Sequence, residues 1–216
     1  GLNDGPEAGM GVTRLLATGK LHQLIEGTAN LSNYTPPTEF DYDLVVIGGG
    51  SGGLACAREA ATDTDKRVAV FDFVKPSPQG STWDLGGTCV NVGCIPKKLM
   101  HTAAIVGEAH HIASDYGWTG SKPKHIWDSM VANVQEHIQS LNSGAKSSLK
   151  KKEVTYFNAL GSFVNPHTIQ ATYGDGSTKT VTARNIVIAV GGRPKPLPKC
   201  EGAHHAIDSD DIFSLR

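Results

Sequence analysis

The sequence predicts an α/β fold, a parallel sheet with helices that runs on into an antiparallel β meander. Three observations predict it. The apolar run Leu44-Val45-Val46-Ile47 ends in Gly48-Gly49-Gly50-Ser51-Gly52-Gly53, a helical stretch follows, and Arg67 to Phe71 reads as a second buried strand. That order is a strand, helix, strand unit of about 30 residues, and continuous apolar strands suit a sheet covered on both faces. Apolar residues then recur at helical spacing after Pro96 and after Pro123. Beyond Val154, short strand-like runs alternate with turns, and a last apolar run from Asn185 to Val190 stops at Gly191-Gly192.

The first strand is Leu44 to Ile47, and the helix after the glycines spans about Leu54 to Thr62. Pro96 opens a second helix to about Ser114, with Leu99, Ala103, Val106 and His110 on one stripe. In the third, after Pro123, the residues Trp127, Met130, Val131, Val134, Ile138 and Leu141 are expected in the core. The strand candidates are Val154 to Val164, Thr168 to Tyr173 and Thr178 to Ala183, the last two joined by the turn Gly174-Asp175-Gly176-Ser177, with Asn185 to Val190 as a separate strand. Ser209-Asp210-Asp211 supplies a helix N-cap signal just before Arg216, which suggests a truncated sequence.

Ahead of the first strand the pattern differs. Val12, Leu15, Leu16, Leu21, Leu24 and Ile25 give a helical pattern too short to fold alone, so residues 1–33 are expected to be the tail of another domain. The stretch Thr28 to Glu39 is rich in Thr, Asn, Ser and Pro, and the linker is placed at 34–41. The unit 42–216 follows.

Composition narrows the partners. A hydrophobic content of 39% with 19% charged residues suits a folded chain. A net charge of -1 and pI near 6.8 give no long-range pull toward nucleic acid or an anionic membrane. Lys146, Lys150, Lys151 and Lys152 read as the solvated end of a helix. No apolar stretch approaches the roughly 20 residues that span a bilayer, and no secretory signal is seen. A cytoplasmic location is expected, with a mitochondrial form compatible. Four cysteines, at 56, 89, 94 and 200, are too few for a disulfide scaffold, and a close pair suggests catalysis or metal binding.

Two motifs carry chemistry. In Gly48-x-Gly50-x-x-Gly53, the first glycine permits the turn, the second lets backbone amides approach a pyrophosphate, and the third allows the helix to pack on the strand. The helix N-terminus, with Ser51 and Gly52, then faces the phosphates, and Asp72, 19 residues after Gly53, is placed to accept bonds from a ribose hydroxyl pair. The second motif is Cys89-x4-Cys94. Five residues of regular helix rise about 7.5 Å, more than the roughly 7 Å over which two α-carbons can be bridged. A disulfide therefore needs distorted backbone, which Gly93 permits. The coming helix and the cations Lys97 and Lys98 favour a thiolate at Cys94. A zinc site is the competing reading, but it would need His101 and a fourth ligand with no recognisable spacing. No metal is expected. Cys56 is expected as a small buried residue, and Cys200 carries no assignment.

The segment from Asp72 through Trp83 to Leu85, followed by Gly86-Gly87-Thr88-Cys89-Val90-Asn91-Val92-Gly93-Cys94-Ile95-Pro96-Lys97-Lys98-Leu99-Met100, resembles the animal high-molecular-weight thioredoxin reductases. These belong to the pyridine nucleotide-disulfide oxidoreductases, with glutathione reductase and dihydrolipoamide dehydrogenase. Tyr116-Gly117-Trp118, Ser140-Leu141-Asn142 and Ser209 to Leu215 extend the resemblance over about 42–216. Gly1 to Asp4 and Leu15 to Ile25 are similar to the end of a glutaredoxin domain, the plan of the branch that fuses glutaredoxin to thioredoxin reductase, the thioredoxin glutathione reductases.

The resemblance implies the first segment of an FAD-binding Rossmann-like domain, incomplete, with a Cys89-Cys94 disulfide. Cys94 would lie nearest the flavin as the charge-transfer thiolate, and Cys89 would be the interchange thiol. Asp72 and Phe73 would bind the adenosine side, Gly87, Thr88 and Cys89 would lie along the flavin, and Lys97 would approach its reactive edge. Leu160, Gly161, Val190 and Gly191 would line the cofactor again. NADPH would reduce FAD, FAD the disulfide, and the dithiol a C-terminal centre of the partner subunit in a homodimer, with thioredoxin and glutathione disulfide as final substrates.

Val190 stands where the family usually has threonine, Gly192 where an acid is common, Asp84 for glycine and Ser143 for tryptophan. No NADPH fingerprint, interface domain or cysteine-selenocysteine tail is found in the sequence, so the chain by itself is expected to be inactive. The alternatives are glutathione reductase, plain thioredoxin reductase, or a non-catalytic flavin-binding fragment.

Overall fold

A computed structural model describes residues 34–62, 65–121, 123–195, 198 and 200–216. The chain divides into units 1–39 and 40–216, and the second carries every element below. The glutaredoxin-like reading of 1–33 lies outside the described residues.

The elements are β1 (Tyr42–Ile47), α1 (Ser51–Ala60), β2 (Val68–Asp72), α2 (Gly87–Val92), α3 (Cys94–Ile112), a 3-10 turn (Ala113–Tyr116), α4 (Trp127–Lys151), β3 (Thr155–Asn165), β4 (Thr168–Tyr173) and β5 (Thr178–Ile188). Short 3-10 turns at Ala203–His205 and Ile212–Ser214 close the chain. β1 pairs in parallel with β2 and with β5, and β2 pairs in parallel with β3. β4 lies antiparallel between β3 and β5. Two strands thus serve both a parallel sheet and a meander, and the five close into a ring.

Side-chain alternation along the strands explains how the ring is filled. Val45 and Ile47 of β1, with Ala69 and Phe71 of β2, point inward to Phe157, Ala159, Ile169, Ala171, Val181 and Ala183. Phe71 and Phe157 stack with centroids 4.6 Å apart, worth about 1 kcal/mol beyond the area they bury. The intervening residues Val46, Val68 and Val70 point outward, where they pack with Leu54 and Ala57 of α1 and with Leu85, Leu149 and Val154. Cys56 packs partly buried against this second cluster, so the apolar strands have covered faces on both sides.

Five expectations are corrected. β5 is one strand rather than two: up to Thr182 it pairs with β4, and from Ala183 onward with β1. The polar pair Arg184-Asn185 that divides the apolar pattern sits on that second stretch, at residues the fold leaves exposed. The first helix begins at Ser51, because the loop glycines themselves adopt its first turn, and ends at Ala60. The stripe on α3 is not covered: its only buried residue is Pro96, while Val106 and His110 are exposed. On α4, Val131, Val134 and Ile138 are buried, but Trp127 is exposed at the helix start, where its indole N–H donates to the Leu215 carbonyl at 2.7 Å. In place of a helix launched by Ser209-Asp210-Asp211, the chain makes a three-residue 3-10 turn capped at Asp211.

Candidate functional site

The glycine loop joins β1 to α1 at the carboxyl end of the parallel strands, where open α/β sheets bind ligands. Gly48 has φ +113°, and a Cβ on it would stand 2.2 Å from the Ala189 carbonyl oxygen. A Cβ on Gly53 would stand 1.8 Å from the Gly48 carbonyl oxygen, so α1 approaches the strand as closely as the motif predicts. Gly50 is the N-cap of α1 and no side chain caps it, which leaves first-turn N–H groups for a ligand.

Opposite this loop lies the turn before α2. The Gly86 N–H donates to the Gly49 carbonyl at 3.0 Å, and a Cβ on Gly87 would fall 2.5 Å from the Gly50 α-carbon. Between and beyond these backbones runs a cleft of about 310 Å³. Its lining includes Gly48, Gly50, Ser51, Gly52, Asp72, Phe73, Gly87, Thr88, Cys89, Val190 and Gly191, all anticipated from sequence. Gly53, Cys94, Lys97, Leu160 and Gly161 lie outside it. Gly53 is spent on packing. Leu160 and Gly161 sit on β3 past Asn158, the residue paired with Asp72, with Gly161 near the Phe71 and Ile47 side chains.

Asp72 is already engaged in the fold. Its Oδ1 accepts the Gly49 N–H at 2.9 Å, which ties the end of β2 to the glycine loop. Burial pushes its carboxyl pKa up, the Gly49 N–H opposes that, and the like charge of Asp84 adds to the rise.

The dithiol is built by a break in a helix. α2 stops at Val92, Gly93 takes φ -145° and ψ -117°, and α3 restarts at Cys94. A Cβ on Gly93 would lie 2.9 Å from the Thr88 carbonyl oxygen and 3.2 Å from the Cys89 α-carbon. The chain therefore folds back on Cys89 in a way no bulkier residue allows. Both cysteines are thiols, Cys89 partly covered and Cys94 exposed. A thiol hydrogen bond to Cys94 pushes the Cys89 pKa up, burial adds to it, and the Lys97 charge opposes it.

Sequence reasoning missed two supports. The buried amides of Asn91 and Asn142 bond to each other and to the loop between Asp84 and Gly87. Asp84, at a position usually glycine, accepts the Leu85 N–H on Oδ1 and forms an ion pair through Oδ2 with Lys146. At the other wall, Arg193 donates to Asp210 Oδ2 at 2.9 Å and to the Lys75 carbonyl at 2.8 Å, with its guanidinium 4.6 Å from the Trp83 ring centroid. The bonds of Asn142 to Asn91, Lys146 to Asp84 and Arg193 to the Lys75 carbonyl cross 51, 62 and 118 residues of sequence, and no local pattern announces them. Among the described residues no group of three His, Cys, Asp or Glu side chains is placed to hold a metal ion.

An uncapped glycine turn, an acid at the end of the next strand and a thiol pair at a helix break stand together in a domain of FAD-binding Rossmann-like fold. Residues 42–216 match the family described as pyridine nucleotide-disulphide oxidoreductase, and the chain belongs to it. It is similar to thioredoxin reductase SEP1 of Emiliania huxleyi, at 56% identity over 179 residues, which cover 82% of this chain and 36% of that relative. The chain thus spans little more than a third of the length of the relative it matches. Among the described residues no helix is long and apolar enough to cross a membrane.

Proposed function

We propose that this chain is the flavin-binding and dithiol part of an NADPH-linked disulfide reductase whose substrate is thioredoxin. The observation that carries the reading is the Cys89 to Cys94 thiol contact at the Gly93 break, beside a cleft whose walls are backbone. The residues fit FAD: free first-turn N–H groups for the pyrophosphate, a carboxylate at Asp72 for the ribose, and no Cβ where Gly50 and Gly87 meet. When bound, FAD supplies a two-electron carrier between the nicotinamide and the dithiol.

The chain's own residues divide the remaining work. The hydrogen bond to Cys94 holds the proton on Cys89 until exchange begins. Cys89 then loses its proton, and its sulfur attacks one sulfur of the external disulfide and expels a thiolate. Cys94 attacks the Cys89 sulfur, releases the second substrate thiol and leaves a Cys89-Cys94 disulfide. Lys97 moderates the charge of the pair from the first turn of α3. Support for a homodimer comes from the bare face of α3 and the turn after it, where Val106, Ile112, Tyr116 and Trp118 are exposed. A glutathione activity rests on the likeness of 1–33 to glutaredoxin, and is proposed with it.

The test is a titration of the chain refolded with FAD. The expected result is a protein-bound flavin spectrum, with Cys89 and Cys94 forming one disulfide that NADPH-independent dithiol reductants open. A refolded chain that takes up no flavin overturns the reading. Thioredoxin against glutathione disulfide, assayed with NADPH on the whole reductase, decides the substrate.

A further inference from the structure

Asn91 and Asn142 stand 51 residues apart in sequence and meet behind Cys89. The Asn142 amide donates to the Leu85 carbonyl at 2.6 Å and to Asn91 Oδ1 at 2.9 Å. The Asn91 amide donates to the carbonyls of Asp84 at 3.0 Å and Gly87 at 2.9 Å. All four N–H donors of the two side chains are used, and the residues are 2% and 5% exposed. A satisfied polar network in an apolar surrounding fixes one arrangement, because any other leaves a buried donor without a partner.

Its place gives it a task. α2 has six residues, no side-chain cap and a glycine at each end, too short to hold its own rotation. α3, which carries Cys94, buries only Pro96. The network runs from α4 through Asn91 to the first carbonyl of α2 at Gly87, and Asn91 is two residues from Cys89. We infer that Asn91 and Asn142 are positioning residues for the dithiol: they fix the rotation of α2 so that the Cys89 sulfur stays in reach of Cys94, and so set how readily the two thiols close. The inference rests on the reading of Cys89 and Cys94 as a redox couple.

The experiment equilibrates the 216-residue chain, with Cys56→Ser and Cys200→Ser to remove other thiols, in buffers of reduced and oxidised glutathione. The two thiols give two protons and two electrons to one oxidised glutathione, forming one S–S bond and two reduced glutathione molecules. Acid-quenched alkylation then reads the fraction closed. Asn91→Ala and Asn142→Ala should each shift the closure constant toward the dithiol five-fold or more. The double variant should go no further than the larger single, since the bonds act in series. Cys89 alkylation at pH 8 should quicken as its bond to Cys94 loosens.

Ile138→Ala, one turn earlier on the buried face of α4, is the control and should lower the melting temperature with the constant unchanged. Should Asn142→Ala fail to fold, Asn142→Ser, which keeps one donor, is read by the same five-fold line. Folded variants that shift the constant by less than five-fold overturn the inference, as does an equal shift in Ile138→Ala at matched loss of melting temperature. A parent chain whose pair closes at no glutathione ratio refutes the redox reading itself, and the inference with it.

Discussion

α1 and α3 begin alike and are held differently. Each starts at a glycine N-cap that offers no side-chain bond. α1 then sinks Gly53, Leu54 and Ala57 into the sheet, whereas α3 buries Pro96 and leaves Ile105, Val106 and Ile112 bare. The glycine-loop half of the site is therefore part of the core, while the thiol half is anchored in it only at Pro96.

The sharpest way to break the comparison is at Gly53. Gly53→Ala drives a Cβ into the Gly48 carbonyl and should cost more than about 4 kcal/mol, read as loss of cooperative melting and of flavin uptake together. Retained flavin binding would mean that α1 is not held as described. Phe71→Ala empties the ring between Ile47 and Phe157 and should cost about 3–5 kcal/mol in chemical denaturation.

The next effects fall on the thiol half. Gly93→Ala puts a Cβ 2.9 Å from the Thr88 carbonyl oxygen, and should cost about 1–3 kcal/mol. The diagnostic is a drop in the rate of Cys89-Cys94 closure larger than the loss of stability explains. pH separates the two thiols further. Cys89 is pushed up by its bond to Cys94, so its alkylation rate should climb only above the ordinary thiol range, and Cys94→Ala should move that climb to lower pH. An unmoved profile would place the proton elsewhere. The smallest effect is at Val106, where Val106→Ser should change stability by less than about 0.5 kcal/mol in the isolated chain. A larger loss that grows with protein concentration would show a second copy lying on α3.

The two halves were also unequally legible in sequence. β1, α1 and β2 could be read because the backbone needs glycine at fixed offsets and the strands are apolar on both faces. The thiol spacing could be read because a regular helix cannot bridge five residues. The stripe on α3 misleads, since Leu99, Ala103 and Val106 have the period of a covered helix and only the packing shows that none of the described residues buries them. β5 was divided in two because the polar Arg184-Asn185 pair interrupts its apolar pattern soon after the strand changes partner. Asn91, Asn142, Asp210 and Arg193 stayed silent because each acts through a residue far along the chain.

The ring of five strands carries one more consequence. Sharing β3 and β5 between both sheets turns an open ladder into something like a torsion box, with no hydrogen-bonding rim left over. A sheet that ends in a free strand can recruit a foreign strand and aggregate; here each strand has a neighbour on either side. Twist introduced at the meander must also pass along the same two strands, and β5 ends at Ile188, two residues before Val190 on the cleft wall. A load on the solvent-facing hairpin and the geometry at the edge of the cleft are thus mechanically one quantity.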